Sequence, residues 1–299
     1  MIGIGIIGCG YWGPNHIRNF QSNKRSQVLA FTDTNEERLK KSTEMFPDID
    51  PIPSVDQLLD RKDITAVVVA TPTATHYNIV KKCLTRDKDV LCEKPLTLHI
   101  HESEELAALA QKRNRILMVG HTFLYNDGIK ALKEYIKQGE IGTPQYIHLR
   151  RTNLGPIRND VNVVYDLASH DIYIANYLLD AEPARVTAHG GTYLQPGLED
   201  VAFITLEYPD NRLANIHVSW LDPKKDRMIT IIGDKKMIVW DDLSVETIKI
   251  YDKSVQVGTK DYGSFGDFQL ILKEGDVVLP IIWMRERRAY HRVQFWVGM

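Results

Sequence analysis

Five short runs of aliphatic and β-branched residues, IGIGII, QVLAFTD, ITAVVVAT, KDVLCE and RILMVG, recur over the first 120 residues, and stretches of helical pattern separate them. The helical stretches are 15–22, 35–46, 54–59, 75–86 and 101–114, and two of them open on a side chain suited to capping, Ser54 and Thr75. The runs show no alternation of apolar and polar residues, so each strand has to be covered on both faces. Strands of that kind, alternating with helices, pair in parallel. Residues 1–121 are therefore expected to form a doubly wound α/β domain of Rossmann type.

The remainder, 122–299, follows a different pattern. Helical segments are expected at 126–138 and 162–179, with a strand at PQYIHLRRT between them. In VAFITLEY and RLANIHVSW, on either side of Pro209-Asp210-Asn211, a period of two puts Ala202, Ile204, Leu206 and Tyr208 on one face and Ala214, Ile216, Val218 and Trp220 on the returning one. That is an antiparallel hairpin with one buried face, and MITIIGDKKMIVW repeats it around Gly233-Asp234. The second part is expected to be an α+β domain with an open, mainly antiparallel sheet, serving substrate binding and assembly.

Composition narrows the class. A net charge of −2 gives no electrostatic footprint for nucleic acid or an anionic membrane. No apolar run approaches the roughly 20 residues that cross a bilayer. The opening MIGIGIIG lacks a basic leader and does not read as a secretory signal. Three scattered cysteines, Cys9, Cys83 and Cys92, make neither a disulfide framework nor a metal site and point to the cytoplasm.

The first strand runs directly into Gly8-x-Gly10-x-x-Gly13, followed by Pro14, a residue suited to a first helical turn. Glycines there allow a tight turn, close approach of a pyrophosphate and close helix–strand packing, while the helix N-terminus faces the anion. Asp33 ends the second strand, where an acid bonds the adenosine ribose. No arginine adjoins it, so NAD is expected rather than NADP. A methyltransferase of the same topology is a competing use of such a loop, but the rest of the chain argues against it. Strands four and five end at Thr71-Pro72-Thr73 and at Glu93-Lys94-Pro95, on the sheet edge where ligands of open α/β sheets bind. Pro95 keeps Lys94 extended. His76 and His121 belong to the same edge.

The expected helix 162–179 has an apolar face of Val164, Ala168, Ile172, Ala175 and Leu179, supported by Leu167, Ile174 and Leu178, and a polar stripe of Asp166, His170, Tyr173 and Tyr177. Asp166 and His170 are four apart, so the carboxylate can hold one imidazole tautomer and leave the other nitrogen to take a proton. Taken alone, the pair also fits an exposed ion pair. Asn153 and Arg158, in the loop before this helix, are candidates to meet a diphosphate or carboxylate; a surface role suits Arg158 equally well.

GCGYWG, TPTATH, CEKP and DLASH, in this order, resemble the Gfo/Idh/MocA family of oxidoreductases over residues 1 to about 280. The resemblance implies NAD(P)-dependent oxidation or reduction of a sugar or cyclitol hydroxyl, with Lys94, Asp166 and His170 as the catalytic set. It places the cofactor on Gly8, Gly10, Tyr11, Trp12, Gly13, Asp33, Thr71, Pro72, Thr73, His76, Glu93 and Lys94. It places the substrate on Lys94, His121, Asn153, Arg158, Asp166 and His170. His170 is the expected base and Lys94 the alternative; no metal is called for. Homo-oligomers through the second domain's sheet are implied. GYWGPN, GHTFLYN and RRTNLGPIRNDVNVVYDLASHD are most similar to members acting on nucleotide-linked sugars, of the UDP-N-acetylglucosaminuronate 3-dehydrogenase branch. A dehydrogenase of a free sugar or inositol-like cyclitol is the alternative, and a non-catalytic dinucleotide sensor is a third. The resemblance stops at Pro280, and the Arg- and Trp-rich IIWMRERRAYHRVQFWVGM is expected to reflect a shifted reading frame.

Overall fold

The computed structural model describes residues 1–257 and 270–280, which fall into two compact units divided between Thr122 and Phe123. The expectation for the segment after Pro280 lies outside the described residues.

In the first unit the order is β1 (Ile2–Ile7), α1 (Gly13–Gln21), β2 (Ser26–Thr32), α2 (Glu36–Met45), β3 (Asp50–Pro51), α3 (Val55–Asp60), β4 (Ala66–Val69), α4 (His76–Thr85), β5 (Asp89–Cys92), α5 (Ile100–Arg113) and β6 (Leu117–Val119). The strands pair in parallel in the order β3-β2-β1-β4-β5-β6. The chain thus starts at the sheet's centre, winds outward one way, then returns and winds the other. That reversal leaves a crevice at the carboxyl ends of β1 and β4. Two apolar layers cover the sheet. Ile17 and Phe20 of α1 pack with Ile4 and Ile6, while Leu58, Val80, Leu84 and Leu106 from α3, α4 and α5 pack with Val67 and Val69.

Local chemistry sets the helix starts. Asn35 Oδ1 accepts the Arg38 N–H at 2.9 Å, and Ser54 Oγ accepts the Gln57 N–H at 3.3 Å, so the expected Ser54 cap is present. Thr75 does not cap. A 3₁₀ turn, Thr73–Thr75, precedes α4, and the Thr75 hydroxyl turns back to Thr71 Oγ1 and Pro72 O, 2.7 Å from each.

The second unit contains α6 (Asp127–Lys137), β7 (Pro144–Leu154), α7 (Ser169–Leu179), β8 (Arg185–Gly191), β9 (Val201–Glu207), β10 (Leu213–Ser219), β11 (Leu221–Gly233), β12 (Met237–Asp241), β13 (Ile248–Tyr251), β14 (Ser254–Val257), β15 (Leu270–Lys273) and β16 (Val277–Val278). Eight strands form one sheet in the order β16-β13-β12-β11-β7-β10-β9-β8, antiparallel except for β7 against β10, and β14 pairs with β15 separately. The expected hairpin is present, with Ile204 opposite Ile216 and Leu206 opposite Ala214, and its eight inward residues are buried. Helices α6 and α7 cover that face through Ile129, Leu132, Ile174, Ala175 and Leu178.

The long helix expected at 162–179 is interrupted. Val164–Ala168 is a π-helical turn, and α7 begins only at Ser169. A π turn carries an extra residue and rotates every side chain after it about the helix axis. In α7 the buried residues are Asp171, Ile174, Ala175, Leu178 and Leu179. Of the expected apolar face Ala168, Ala175 and Leu179 are buried, while Val164 and Ile172 pack partly buried against the same core.

Candidate active site

Each glycine of the first loop has a separate requirement. Gly8 has φ +100°, and a Cβ there would lie 2.6 Å from the Ala70 carbonyl oxygen. A Cβ on Gly13 would lie 2.2 Å from the Gly8 carbonyl oxygen and push α1 off the strand. At Gly10 the nearest atom to such a Cβ is Arg38 Nη1, at 3.9 Å. The chain needs Gly8 and Gly13 for its own packing; Gly10 leaves room above the loop. That combination fits a dinucleotide pyrophosphate at the start of α1. Tyr11 and Trp12 flank the loop, both exposed.

Asp33 joins the loop to β2. Its Oδ2 accepts the Cys9 N–H at 2.6 Å, and its Oδ1 accepts the Asn35 N–H at 2.8 Å. A carboxylate offers about four lone-pair sites, so capacity for ribose hydroxyls remains. Asp33 lines a cavity of about 420 Å³ together with Gly8, Gly10, Thr71, Pro72 and Arg38. Arg38 was not anticipated; it stands five positions beyond Asp33, and only the first turn of α2 brings it to the glycine loop.

The tip of β5 is fastened from both sides. Glu93 is buried, and its Oε1 meets Nε2 of His16, on α1, at 2.8 Å. The Pro95 carbonyl oxygen lies 2.9 Å from His76 Nδ1, and the Thr71 carbonyl oxygen lies 2.8 Å from His76 Nε2. His76 thus ties the Thr71-Pro72-Thr73 loop to the turn just after Lys94, while Thr73 is buried beneath it. The Lys94–Pro95 peptide is cis. Lys94 is half-buried between these two fixed neighbours.

Beside it, burial pushes the His121 imidazole down to about 4; the Lys94 charge acts in the same direction and Glu93 opposes it. The unfolded side chain titrates near 6.5, so the folded protein binds fewer protons between that value and about 4. Stability is expected to be lost as pH falls through this window, by on the order of 2 kcal/mol after discounting for partial solvent contact. Urea denaturation of wild type and His121→Phe at about pH 7 and pH 4.5 tests this. An equal loss in both proteins would assign the effect to another group.

In the second unit, Asp166 sits on the π turn. Its Oδ2 accepts from Trp220 Nε1 at 3.2 Å, and its Oδ1 pairs with Arg158 Nη1 at 3.4 Å. Arg158 also donates to both oxygens of Asp160, at 2.8 and 2.6 Å, and those acids raise its pKa. Asn153 Nδ2 donates to the Gly155 carbonyl. His170 Nδ1 lies 3.0 Å from the Tyr173 hydroxyl. The remaining support of this histidine was not anticipated. The Phe123 ring meets the imidazole edge-on at 5.0 Å, and the guanidinium carbons of Arg151 and Arg227 lie over that ring at 4.4 and 5.0 Å. Arg151 forms a two-pronged bond to Asp171, 2.9 and 2.7 Å, with both side chains 3% exposed.

A glycine loop with an acid at the end of β2, on a sheet wound in this order, defines a dinucleotide-binding α/β protein; the second unit adds Asp166, on the π turn, and His170, on α7, on a separate α+β scaffold. The model of the oxidoreductase family with NAD-binding Rossmann fold matches residues 2–121, and the GFO/IDH/MocA C-terminal domain matches residues 129–239. The chain belongs to the Gfo/Idh/MocA oxidoreductase family. It is 29% identical over 254 residues to UDP-N-acetylglucosamine 3-dehydrogenase of Acidithiobacillus ferrooxidans, covering 83% of this chain and 76% of the relative. It is 26% identical over 268 residues to myo-inositol 2-dehydrogenase of Thermotoga maritima, covering 86% and 80% respectively. The fold matches the WlbA dehydrogenase of Bordetella pertussis, solved with NADH and UDP-GlcNAcA, at a TM-score of 0.77 and 22% identity over 83% of this chain and 75% of that one.

Proposed function

We propose that the protein is an NAD-dependent dehydrogenase acting on a secondary hydroxyl of a sugar, and that the sugar is nucleotide-linked. The observation that carries this reading is the set of residues kept together in one chain: the glycine loop with Asp33, Lys94 on a doubly fastened strand tip, and Asp166 with His170. A sensing role needs the loop and Asp33 alone. Support for a nucleotide-linked substrate comes from the UDP-N-acetylglucosamine relative and from the UDP-GlcNAcA complex of similar fold.

Gly8, Gly10, Gly13 and Asp33 would hold the dinucleotide, bordered by Tyr11, Trp12, Thr71, Pro72, Thr73 and His76. Bound there, NAD⁺ supplies the hydride acceptor. Lys94 donates a hydrogen bond to the reacting oxygen and stabilises the alkoxide as it forms. His170 takes the hydroxyl proton on Nε2, and the Asp166 charge one turn earlier favours the imidazolium that results. His121, Asn153 and Arg158 are assigned to the substrate's polar groups; for Arg158 this means exchanging part of its pairing with Asp160 for an anionic oxygen of the ligand. The outer face of the eight-stranded sheet exposes Tyr146 at 39%, Phe203 at 51% and Leu213 at 43%, which suits association of copies through that face. Cysteines that are free and buried suit a reducing cytoplasm.

Reduction of NAD⁺ by a panel of UDP-sugars, free sugars and inositol tests the proposal. Turnover is expected with a nucleotide-linked sugar, and NADP⁺ should be poorer than NAD⁺ because Asp33 repels a 2′-phosphate, with the Arg38 guanidinium in the same cavity offsetting part of that repulsion. Turnover with inositol alone would move the assignment to the cyclitol branch, which the Thermotoga maritima relative represents. NAD⁺ binding without turnover of any member would leave a sensor.

A further inference from the structure

We propose that Tyr173 is a positioning residue for His170: its hydroxyl oxygen accepts Nδ1–H and so holds the tautomer whose Nε2 carries the lone pair. The proposal rests on the reading that His170 takes the substrate proton. Tyr173 stands one turn beyond His170 on α7, at a spacing that puts both side chains on one face. Its hydroxyl oxygen is 3.0 Å from His170 Nδ1 and also receives the Phe123 backbone N–H, at 3.2 Å. The backbone N–H occupies one lone pair of the phenolic oxygen and fixes its place, and the second lone pair is within reach to accept from the ring nitrogen.

The direction of that bond has a chemical consequence. A neutral imidazole carries one N–H. If the hydroxyl donated to Nδ1, the proton would reside on Nε2, and that nitrogen would have no lone pair for a substrate. If the hydroxyl accepts from Nδ1, the same bond persists when Nε2 gains its proton, and nothing has to reorganise during transfer. The Phe123 ring against the imidazole edge, itself held beneath Arg151 and Arg227, limits rotation that would exchange the two nitrogens. Asp166 accepts from Trp220 and pairs with Arg158, and in this proposal it is assigned charge and Tyr173 the hydrogen bond at Nδ1.

Tyr173→Phe keeps the ring and removes only the hydroxyl. Nitrogen NMR of ¹⁵N-histidine-labelled protein, with His170→Ala used to assign the resonance, reads the tautomer without reference to turnover. Wild-type neutral His170 should show a protonated Nδ1 and an unprotonated Nε2, and in Tyr173→Phe the proton should redistribute toward Nε2. In the same variant kcat should fall by about tenfold or more, with KM for NAD⁺ within about twofold. Asp166→Asn should lower kcat and keep the wild-type tautomer. A proton on Nε2 in the wild type, a tautomer that does not move in Tyr173→Phe, or an unchanged kcat in that variant overturns the proposal. Full turnover by His170→Ala would instead overturn the proton-transfer reading, and the tautomer measurement would still decide what Tyr173 does.

Discussion

Replacing Lys94 with alanine is expected to lower kcat by a factor of hundreds or more, about 3 kcal/mol in the barrier, with NAD⁺ affinity kept within a few-fold. The separation comes from where each interaction is made. The dinucleotide is assigned to the glycine loop and Asp33, and those contacts do not involve the lysine side chain. Lys94 is assigned to the oxygen that becomes an alkoxide, a charge that exists only as the reaction proceeds. The backbone should survive the substitution, because Glu93 stays bonded to His16 and the Pro95 carbonyl stays at His76. Steady-state kinetics paired with calorimetric NAD⁺ titration separates the two effects. Retention of most of the wild-type kcat would remove Lys94 from the catalytic set; a parallel collapse of NAD⁺ binding would make its role structural.

The parts of this fold that were legible from the sequence are those governed by short-range pattern. Runs such as ITAVVVAT could only be strands covered on both faces, and the alternation in VAFITLEY fixed which residues of β9 turn inward. The glycine loop was legible because conformation and close approach restrict residue type there. Ser54 announced its helix for a similar reason. Thr75, placed in the same way before a helical run, instead turns its hydroxyl back to the preceding loop, and the Asn35 cap was found only in the structure. The misreading at 162–179 came from assuming uniform geometry. A π turn leaves no mark in an apolar pattern, and Asp171 lies on the buried face because it is bonded there to Arg151, which apolarity alone does not announce.

Contacts between elements distant in sequence were harder to read. His16 and Glu93 are separated by 77 positions, and neither residue type at its place implies the other. Arg151 and Asp171 did leave a trace. Arg151 continues the inward series Ile147, Leu149 on β7, and Asp171 falls three residues after Ala168 on the face that α7 buries. Opposite charges at two core positions require partners, and each was the other's. The same pair explains why a histidine in a largely apolar helix keeps a defined orientation: one guanidinium is held by the acid next to His170 and covers the phenyl ring that meets the imidazole.

Asp171→Ala is expected to destabilise the second unit by about 3–5 kcal/mol, the cost of leaving a buried guanidinium without its carboxylate. Both side chains are 3% exposed, so water cannot replace the lost bonds without opening the core between α7 and β7. The attraction between the charges is not itself the source of this number, since taking both out of water offsets much of it. The double variant Arg151→Met, Asp171→Leu should therefore recover a large part of the lost stability, because no isolated charge remains. Its activity should stay low: methionine offers no cation to the Phe123 face, and the ring that borders His170 loses one of the two groups over it. Chemical denaturation of the three proteins, with kcat measured on each, tests the argument as a whole. A loss below about 1 kcal/mol in Asp171→Ala would place water at the pair. Full activity in the recovered double variant would show that His170 keeps its orientation without the Arg151–Phe123 contact.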